Sequence, residues 1–391
     1  MTAPVGARID GERREELRRR LQALGFDEVR FAAVGALNTS LRGWLDAGYQ
    51  AAMQWMDRTA DKRAEAGLVL PGAQSVIMLG VNYWTAPKGA ATGTPGGNPR
   101  WARYALHVDY HDTIRPGLVA AGKILEETGG LRAEDYRYYV DTGPVLERGW
   151  AARAGLGFRG KNAMLISRTH GNWLFLASIL TRLAIAPDEP LRKKILARDG
   201  DEPAGLLCGK CTRCLDACPT DAFPRPGEVD ARRCISYQTI ENKGIIPRDL
   251  RPGIGDRVYG CDVCLEVCPW NRFARQGRQV LLEARHDIAE LPLGEILRLT
   301  PGRFTEVFRG TAIKRLKLTG LLRNACVVAG NSGEAGLLPA LLALVAHDAP
   351  IVRAHAVWAV QRLAGTDAGP LLESARVAET DEAVRAEYAA G

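Results

Sequence analysis

The sequence predicts three units in series: an α/β domain over residues 1–185, a cysteine-rich unit over 186–285 and an α-helical unit over 286–391. Three observations predict it. Up to about residue 185, amphipathic helical stretches alternate with short β-branched runs, the pattern of helices layered on a sheet. Eight of the nine cysteines then fall between Cys208 and Cys268, with only Cys326 outside. From about residue 290 apolar helices follow one another across short polar turns.

In the first unit, residues 10–25 form a helix with Leu17, Leu21 and Leu24 on one face, ended by Gly25. Residues 40–66 read as helical, with Leu41, Trp44, Leu45, Met53, Trp55 and Met56 apolar. Ser75 to Val81 is a buried strand. Residues 85–100, rich in Gly, Pro, Thr and Ala, form a flexible loop. The segment 101–111, W-A-R-Y-A-L-H-V-D-Y-H, crowds aromatic, imidazole and carboxylate groups together, and a helix runs from about Thr113 to Glu127. A strand at Tyr136–Val140 leads into strand end, turn, short helix and glycine-rich loop over 141–162. Gly155, Gly157 and Gly160 suit close backbone approach or a tight turn. A last buried strand spans 173–181.

The cysteine unit opens with C-x2-C-x2-C-x3-C-P at 208–219, the bacterial ferredoxin pattern. A second run at 261–269 lacks its first cysteine, and Cys234 supplies the replacement. In two-cluster ferredoxins the fourth cysteine of a run ligates the other cluster. Cys208, Cys211, Cys214 and Cys268 therefore form one ligand set, and Cys218, Cys234, Cys261 and Cys264 the other. A ferredoxin-like unit with two 4Fe–4S clusters results. Zinc suits paired C-x2-C steps but not a triple run ending in C-P. Disulfides belong to exported chains, and the N-terminus M-T-A-P-V-G-A-R-I-D has no apolar signal core.

In the third unit, 313–333 reads as a helix with a basic front half, and 337–348 and 351–364 as a helix pair. Paired helices of this kind are HEAT-like. Lys314, Arg315, Lys317 and Arg323 are candidate phosphate contacts, with Asn324 beside them, although a charge run also serves simply as a solvated face. The net charge of +7 hints at a polyanionic partner. No apolar run is long enough to span a bilayer, and cysteines awaiting metal need a reducing compartment, so the cytoplasm is expected.

Asp141 is the sharpest candidate acid, at a strand end where ligands gather in α/β folds. An Asp before a Gly-Pro turn also serves as a plain turn cap. His107 and His111 are candidate metal ligands or ordinary hydrogen-bonding groups, and Lys161 and Asn162 follow a glycine loop that matches no nucleotide fingerprint.

Together the stretches D-T-G-P-V-L-E-R-G-W-A-A-R-A-G-L-G-F-R-G-K-N, C-I-S-Y-Q-T-I-E, G-C-D-V-C-L-E-V-C-P-W-N, D-Y-H at 109–111 and G-L-L-R-N at 320–324 resemble the epoxyqueuosine reductase (QueG) family over nearly the whole chain. The resemblance implies an α/β cobalamin-binding domain, a ferredoxin-like domain with two 4Fe–4S clusters and a HEAT-like helical domain that binds tRNA. It implies reduction of the epoxide of epoxyqueuosine at the wobble position of a tRNA anticodon loop, with loss of water. Asp141 aligns with the proton donor beside the cofactor, and Arg63, Tyr104, Asn162, Ser236 and Asp262 lie in segments similar to cobalamin contacts. It implies a monomer served by a flavodoxin- or ferredoxin-type reductant. As a donor at neutral pH, Asp141 is expected to be buried against the corrin, with its pKa raised. At His107 the family segment has glycine, and a histidine there is expected to crowd or ligate the corrin. The alternatives are a reductive dehalogenase-like corrinoid enzyme, which usually carries a twin-arginine export signal, and a non-enzymatic ferredoxin-like electron carrier.

Overall fold

The structure is a computed structural model that describes residues 8–37, 40–84, 99–191, 204–278, 280, 282 and 284–390. Most of the loop expected at 85–100 lies outside the described residues. The first unit is a four-stranded sheet of Glu28–Ala33, Ser75–Asn82, Leu174–Thr181 and Tyr136–Val140, in that spatial order. All its pairings are antiparallel. The expected layering is present, but the sheet is not the parallel one whose strand ends all point one way. Alternation of strands and helices along a chain does not fix strand direction.

All eight residues of Ser75–Asn82 are buried, because both faces of this central strand are covered. Ile77, Leu79 and Val81 pack with Leu17, Leu21, Ile114 and Leu118 from two helices. Val76 and Met78 face the other way, toward Trp150 and Ala151. The two-residue side-chain period of a strand divides one sequence run between two cores. The helices above are Gly11–Ala23 and Tyr110–Gly129, and Glu147–Arg153 lies below. The helix expected over 40–66 is broken into Leu41–Asp46, Gln54–Arg58 and Ala60–Ala64. Gly48 (φ 68°) and Ala51 (φ 52°) take left-handed conformations that end the first piece.

The cysteine unit is a chain of one- and two-turn helices, among them Arg213–Asp216, Ile235–Ile240 and Val263–Glu266. Its strand Arg257–Tyr259 pairs in parallel with Arg100–Trp101, which joins it to the first unit through the backbone. In the last unit Lys317–Ser332 packs along Pro350–Ala364, which is flanked by Leu338–Leu344 and Glu382–Ala389. The expected helix at 313–333 opens instead as a 3-10 turn, Ala312–Leu316, with Lys317 at φ 63° before the α-helix proper. One apolar core runs from Ile235, Ile254 and Tyr259 of the cysteine unit into Leu321, Val327, Val357 and Leu372 of the helices. Among the described residues no helix is long and apolar enough to cross a membrane.

Candidate active site

The strand Tyr136–Val140 ends by delivering Asp141 to the wall of a cavity of about 1730 Å³. Asp141 has φ 59°, a conformation that costs a non-glycine residue on the order of 1–3 kcal/mol and collects at functional sites. Its side chain is 58% exposed because it looks into the open cavity. The Tyr110 hydroxyl donates to Asp141 Oδ2 at 2.8 Å. His111 Nε2 lies 3.5 Å from the same oxygen, while its Nδ1 lies 2.7 Å from Asp109 Oδ1. Asp109 also caps the helix Tyr110–Gly129 by accepting from the His111 backbone N–H at 3.1 Å. Tyr110 is held flat on Phe175, with ring centroids 4.3 Å apart.

This geometry corrects the expected charge state. The hydrogen bond to His111, helped by that from Tyr110, holds Asp141 below the usual carboxylate range despite partial desolvation. Asp141 is an ionised carboxylate at neutral pH. Burial alone would lower the His111 pKa, but the flanking Asp109 and Asp141 carboxylates outweigh it and push it up to about 9. The proton therefore rests on the imidazole. Glu147, which sequence reasoning did not single out, is pushed up to about 8 by burial, with the Asp141 charge adding to it. Its Oε1 is buried without a hydrogen-bond partner among the described residues, and it too lines the cavity. The signal available in the sequence was its place in the first turn of the short helix Glu147–Arg153.

Of the six expected cofactor contacts, Arg63, Tyr104, Asp141 and Ser236 lie on the cavity wall. Arg63 is anchored by Thr59 Oγ1 at 2.9 Å and the Val145 carbonyl at 3.3 Å. Asn162 and Asp262 do not line the cavity. The buried Asn162 amide donates to Asn172 Oδ1 at 2.9 Å and to the Cys264 carbonyl at 3.3 Å, tying the glycine loop to the cysteine unit. Asp262 accepts the Arg103 backbone N–H at 2.7 Å, and burial pushes its pKa up to about 6. His107 is likewise off the cavity. It is buried in a bridge to Ala284, with neither ring nitrogen hydrogen-bonded among the described residues. The close approaches that need glycine are to protein backbone: a Cβ at Gly155 would sit 2.2 Å from the Glu189 carbonyl oxygen, and one at Gly157 would sit 2.6 Å from that of Ile166.

The eight cysteines of the second unit lie near one another, and Cys264 of one expected set is near Cys214 of the other. Burial pushes the Cys214 thiol up to about 11, with nearby Cys208, Cys268 and Cys211 adding to it. Burial likewise pushes Cys261 up to about 12, with Cys234 adding to it, and Cys264 senses both Cys261 and Cys234. Cys234 in turn senses Cys218. Cys218 Sγ accepts the Ala222 N–H at 3.3 Å. Among the described residues no three His, Cys, Asp or Glu side chains converge on a point that would hold a single ion.

Of the basic set, Lys314 and Lys317 are exposed and have no carboxylate partner among the described residues. Arg315 stands on the cavity rim, paired with Glu241. Arg323 is fully buried and is no phosphate contact. Its guanidinium donates to the carbonyls of Gln238, Asn242 and Gly244 at 2.8, 2.6 and 2.9 Å. Asn324, also buried, donates to the Thr239 and Val258 carbonyls, each at 2.8 Å. Both pin the helix Lys317–Ser332 to the cysteine unit.

Comparison with known proteins gives consistent matches. Residues 63–142 match the profile "Epoxyqueuosine reductase QueG, DUF1730", and residues 207–271 match a 4Fe-4S double cluster binding domain. The epoxyqueuosine reductase of Vibrio cholerae is 35% identical over 89% of this chain and 91% of its own. That of Pseudomonas aeruginosa is 38% identical over 87% and 91%. A crystal structure of epoxyqueuosine reductase with an epoxyqueuosine-modified tRNA-Tyr stem loop superposes with a TM-score of 0.83, at 30% identity, over 95% of this chain and 96% of that one. The Bacillus subtilis enzyme, captured with its catalytic aspartate loop swung out of the active site, gives the same TM-score of 0.83 and 30% identity over the same shares of the two chains.

Proposed function

The chain belongs to the epoxyqueuosine reductase family, and from that premise we propose how its residues carry the reaction. It is an oxidoreductase that converts epoxyqueuosine in tRNA to queuosine. Two electrons and two protons are consumed, the epoxide oxygen leaves as water and a double bond remains. The observation that carries the assignment of roles is the Asp109–His111–Asp141–Tyr110 constellation at the cavity wall.

We assign the cavity to cobalamin plus the modified base. Its 1730 Å³ exceeds the ~300–1,000 Å³ of ordinary small-molecule sites. Arg63, Tyr104 and Ser236 would hold the cofactor, which would supply a strongly reduced cobalt as the reductant of the strained ring. Asp141 orients the substrate and passes on the proton stored on His111, while Tyr110 and Asp109 hold the pair in place. Glu147 is a second protonated acid on the same wall, so the cavity stores as many protons as the reaction needs. The two cysteine sets hold 4Fe–4S clusters that deliver electrons singly. The division into a cobalamin domain (1–185), a ferredoxin-like domain (186–285) and a HEAT-like tRNA-binding domain (286–391) describes these tasks, although the last two share a core. Lys314 and Lys317, with Arg315 at the rim, would meet tRNA phosphates. We further assign a monomer in a reducing, cytoplasmic setting, which cluster cysteines need until they are loaded.

The test is anaerobic loading with iron, sulfide and cobalamin, followed by mass analysis of epoxyqueuosine-bearing tRNA. Loss of one oxygen from the modified nucleoside is expected. An epoxide that persists with every component loaded would overturn the reading.

A further inference from the structure

We propose that the surface over the Cys208–Cys211–Cys214–Cys268 set is the docking face for a small acidic one-electron carrier protein. The inference rests on the reading of that set as cluster ligands. A second, separate groove of about 680 Å³ opens there, between the one-turn helices Arg213–Asp216 and Val263–Glu266. Cys268 lines it, and Arg213 and Arg272 stand on its rim. Lys210, between Cys208 and Cys211, extends the same basic edge.

Many other cations of the molecule are held in ion pairs. Arg14, Arg18, Arg232, Arg285 and Arg353 are all paired with carboxylates of this chain. Lys210, Arg213 and Arg272 are exposed and have no carboxylate partner among the described residues. The two acids of the groove are already engaged: Asp216 accepts from Thr212 Oγ1 at 2.7 Å, and Glu266 lies 3.7 Å from the Arg103 guanidinium. Glu266 is offset by Arg103, and Asp216 keeps its charge, so Lys210, Arg213 and Arg272 leave the edge net positive. Beside it Phe273 is 36% exposed, with the Arg272 guanidinium 4.7 Å from its ring centre. An aromatic beside an arginine is the composition of an interface anchor.

Position completes the argument. The other cysteine set lies toward the cavity, with Cys264 against the core of the first unit and Ser236 of the cavity wall two residues after Cys234. Cys268 of the docking set itself packs with Phe158 of the cavity wall, so an electron that arrives there has a way inward. The transfer moves one electron and no atoms: the carrier is oxidised by one electron and the cluster of the docking set reduced by one, twice per epoxide. Redox encounters use small interfaces, below ~1,200 Å², and rely on electrostatic steering that raises association ~10–10³-fold and fades with salt. An acidic partner is the complement of this edge.

The experiment follows cluster bleaching in stopped flow rather than turnover. The wild-type chain and Lys210→Glu/Arg213→Glu/Arg272→Glu, both loaded with iron, are reduced by an acidic flavodoxin and, separately, by photoreduced deazariboflavin, which is uncharged. With flavodoxin at low salt the triple variant should be at least ~10-fold slower and should lose the salt dependence. With deazariboflavin the two should match. Arg19→Glu/Lys123→Glu/Arg376→Glu, the same charge change elsewhere, should leave the flavodoxin rate within about twofold of wild type. If the glutamate variant loads no iron, the glutamine triple replaces it, and a several-fold slowing is expected. An unchanged flavodoxin rate, or equal slowing by the remote triple, overturns the docking face. A wild-type chain that deazariboflavin cannot bleach would instead sink the cluster reading itself.

Discussion

The carboxylate nearest the reaction is not where the proton is kept. Asp141 is held ionised, while His111, at about 9, and Glu147, at about 8, are the protonated groups of the cavity. Asp141→Asn keeps the shape but cannot relay a proton. Single-turnover assays should show a loss of roughly two orders of magnitude, with cobalamin, cluster and tRNA binding retained. Rate against pH should fall on the alkaline side, first near 8 and again near 9, and Glu147→Gln should remove the lower of the two limbs. A profile flat to pH 10 would exclude both groups as donors. The raised His111 pKa also has a sign for stability: its contribution is whole below its unfolded value of ~6.5 and is lost as pH rises through about 9. The melting-temperature gap between wild type and His111→Gln should therefore narrow across that window. Asp141 was legible in the sequence as a strand-end acid. Its charge state was not, because that depends on His111 and Tyr110, which lie about thirty residues away along the chain and reach it only through the fold.

Among the elements, those with sustained periodicity were legible. Tyr136–Val140, Ser75–Asn82 and Gly11–Ala23 lie within about a residue or two of where their patterns put them. Glu28–Ala33 was missed because six residues give too short an alternation, and the antiparallel pairings leave no local mark. The basic front of the C-terminal helix shows the same limit. Its charges were visible but their directions were not, since burial depends on what the helix packs against. Lys314→Ala/Lys317→Ala should lower the salt slope of tRNA binding by about 1.4–1.8, at ~0.7–0.9 per phosphate contact. Arg323→Ala should leave that slope alone and lower the melting temperature instead. It strands the buried Gln238 carbonyl, at ~1–3 kcal/mol if it stays unpaired, and removes the bonds to the part-buried carbonyls of Asn242 and Gly244. An altered salt slope in the Arg323 variant would return that residue to the RNA surface.

For the whole molecule, the three units read from the sequence are not three independent bodies. The last helix, Glu382–Ala389, reaches back to the cysteine unit through Glu387, which takes Arg248 at 2.6 Å and the fully buried Arg251 at 2.9 Å. Glu387→Gln leaves a buried guanidinium without its counter-charge. It should cost ~3–5 kcal/mol by denaturant titration, and the cluster absorbance should be lost in the same transition. Cluster loss well before the helices unfold would show that the shared core does not couple them. The parallel pairing of Arg100–Trp101 with Arg257–Tyr259 also sets a schedule. Its first strand leaves the ribosome some 150 residues before its second, on the order of 8–30 s at ~5–20 residues per second. Through that interval Arg100–Trp101, just before Tyr104, lacks the strand it pairs with. The wall formed by Ser236, Glu241 and Arg315 has not yet been made. The pocket closes only once the chain through Arg315 is made, so a ligand that needs its whole wall must find the protein after that, and the nascent cysteines must survive that wait unoxidised.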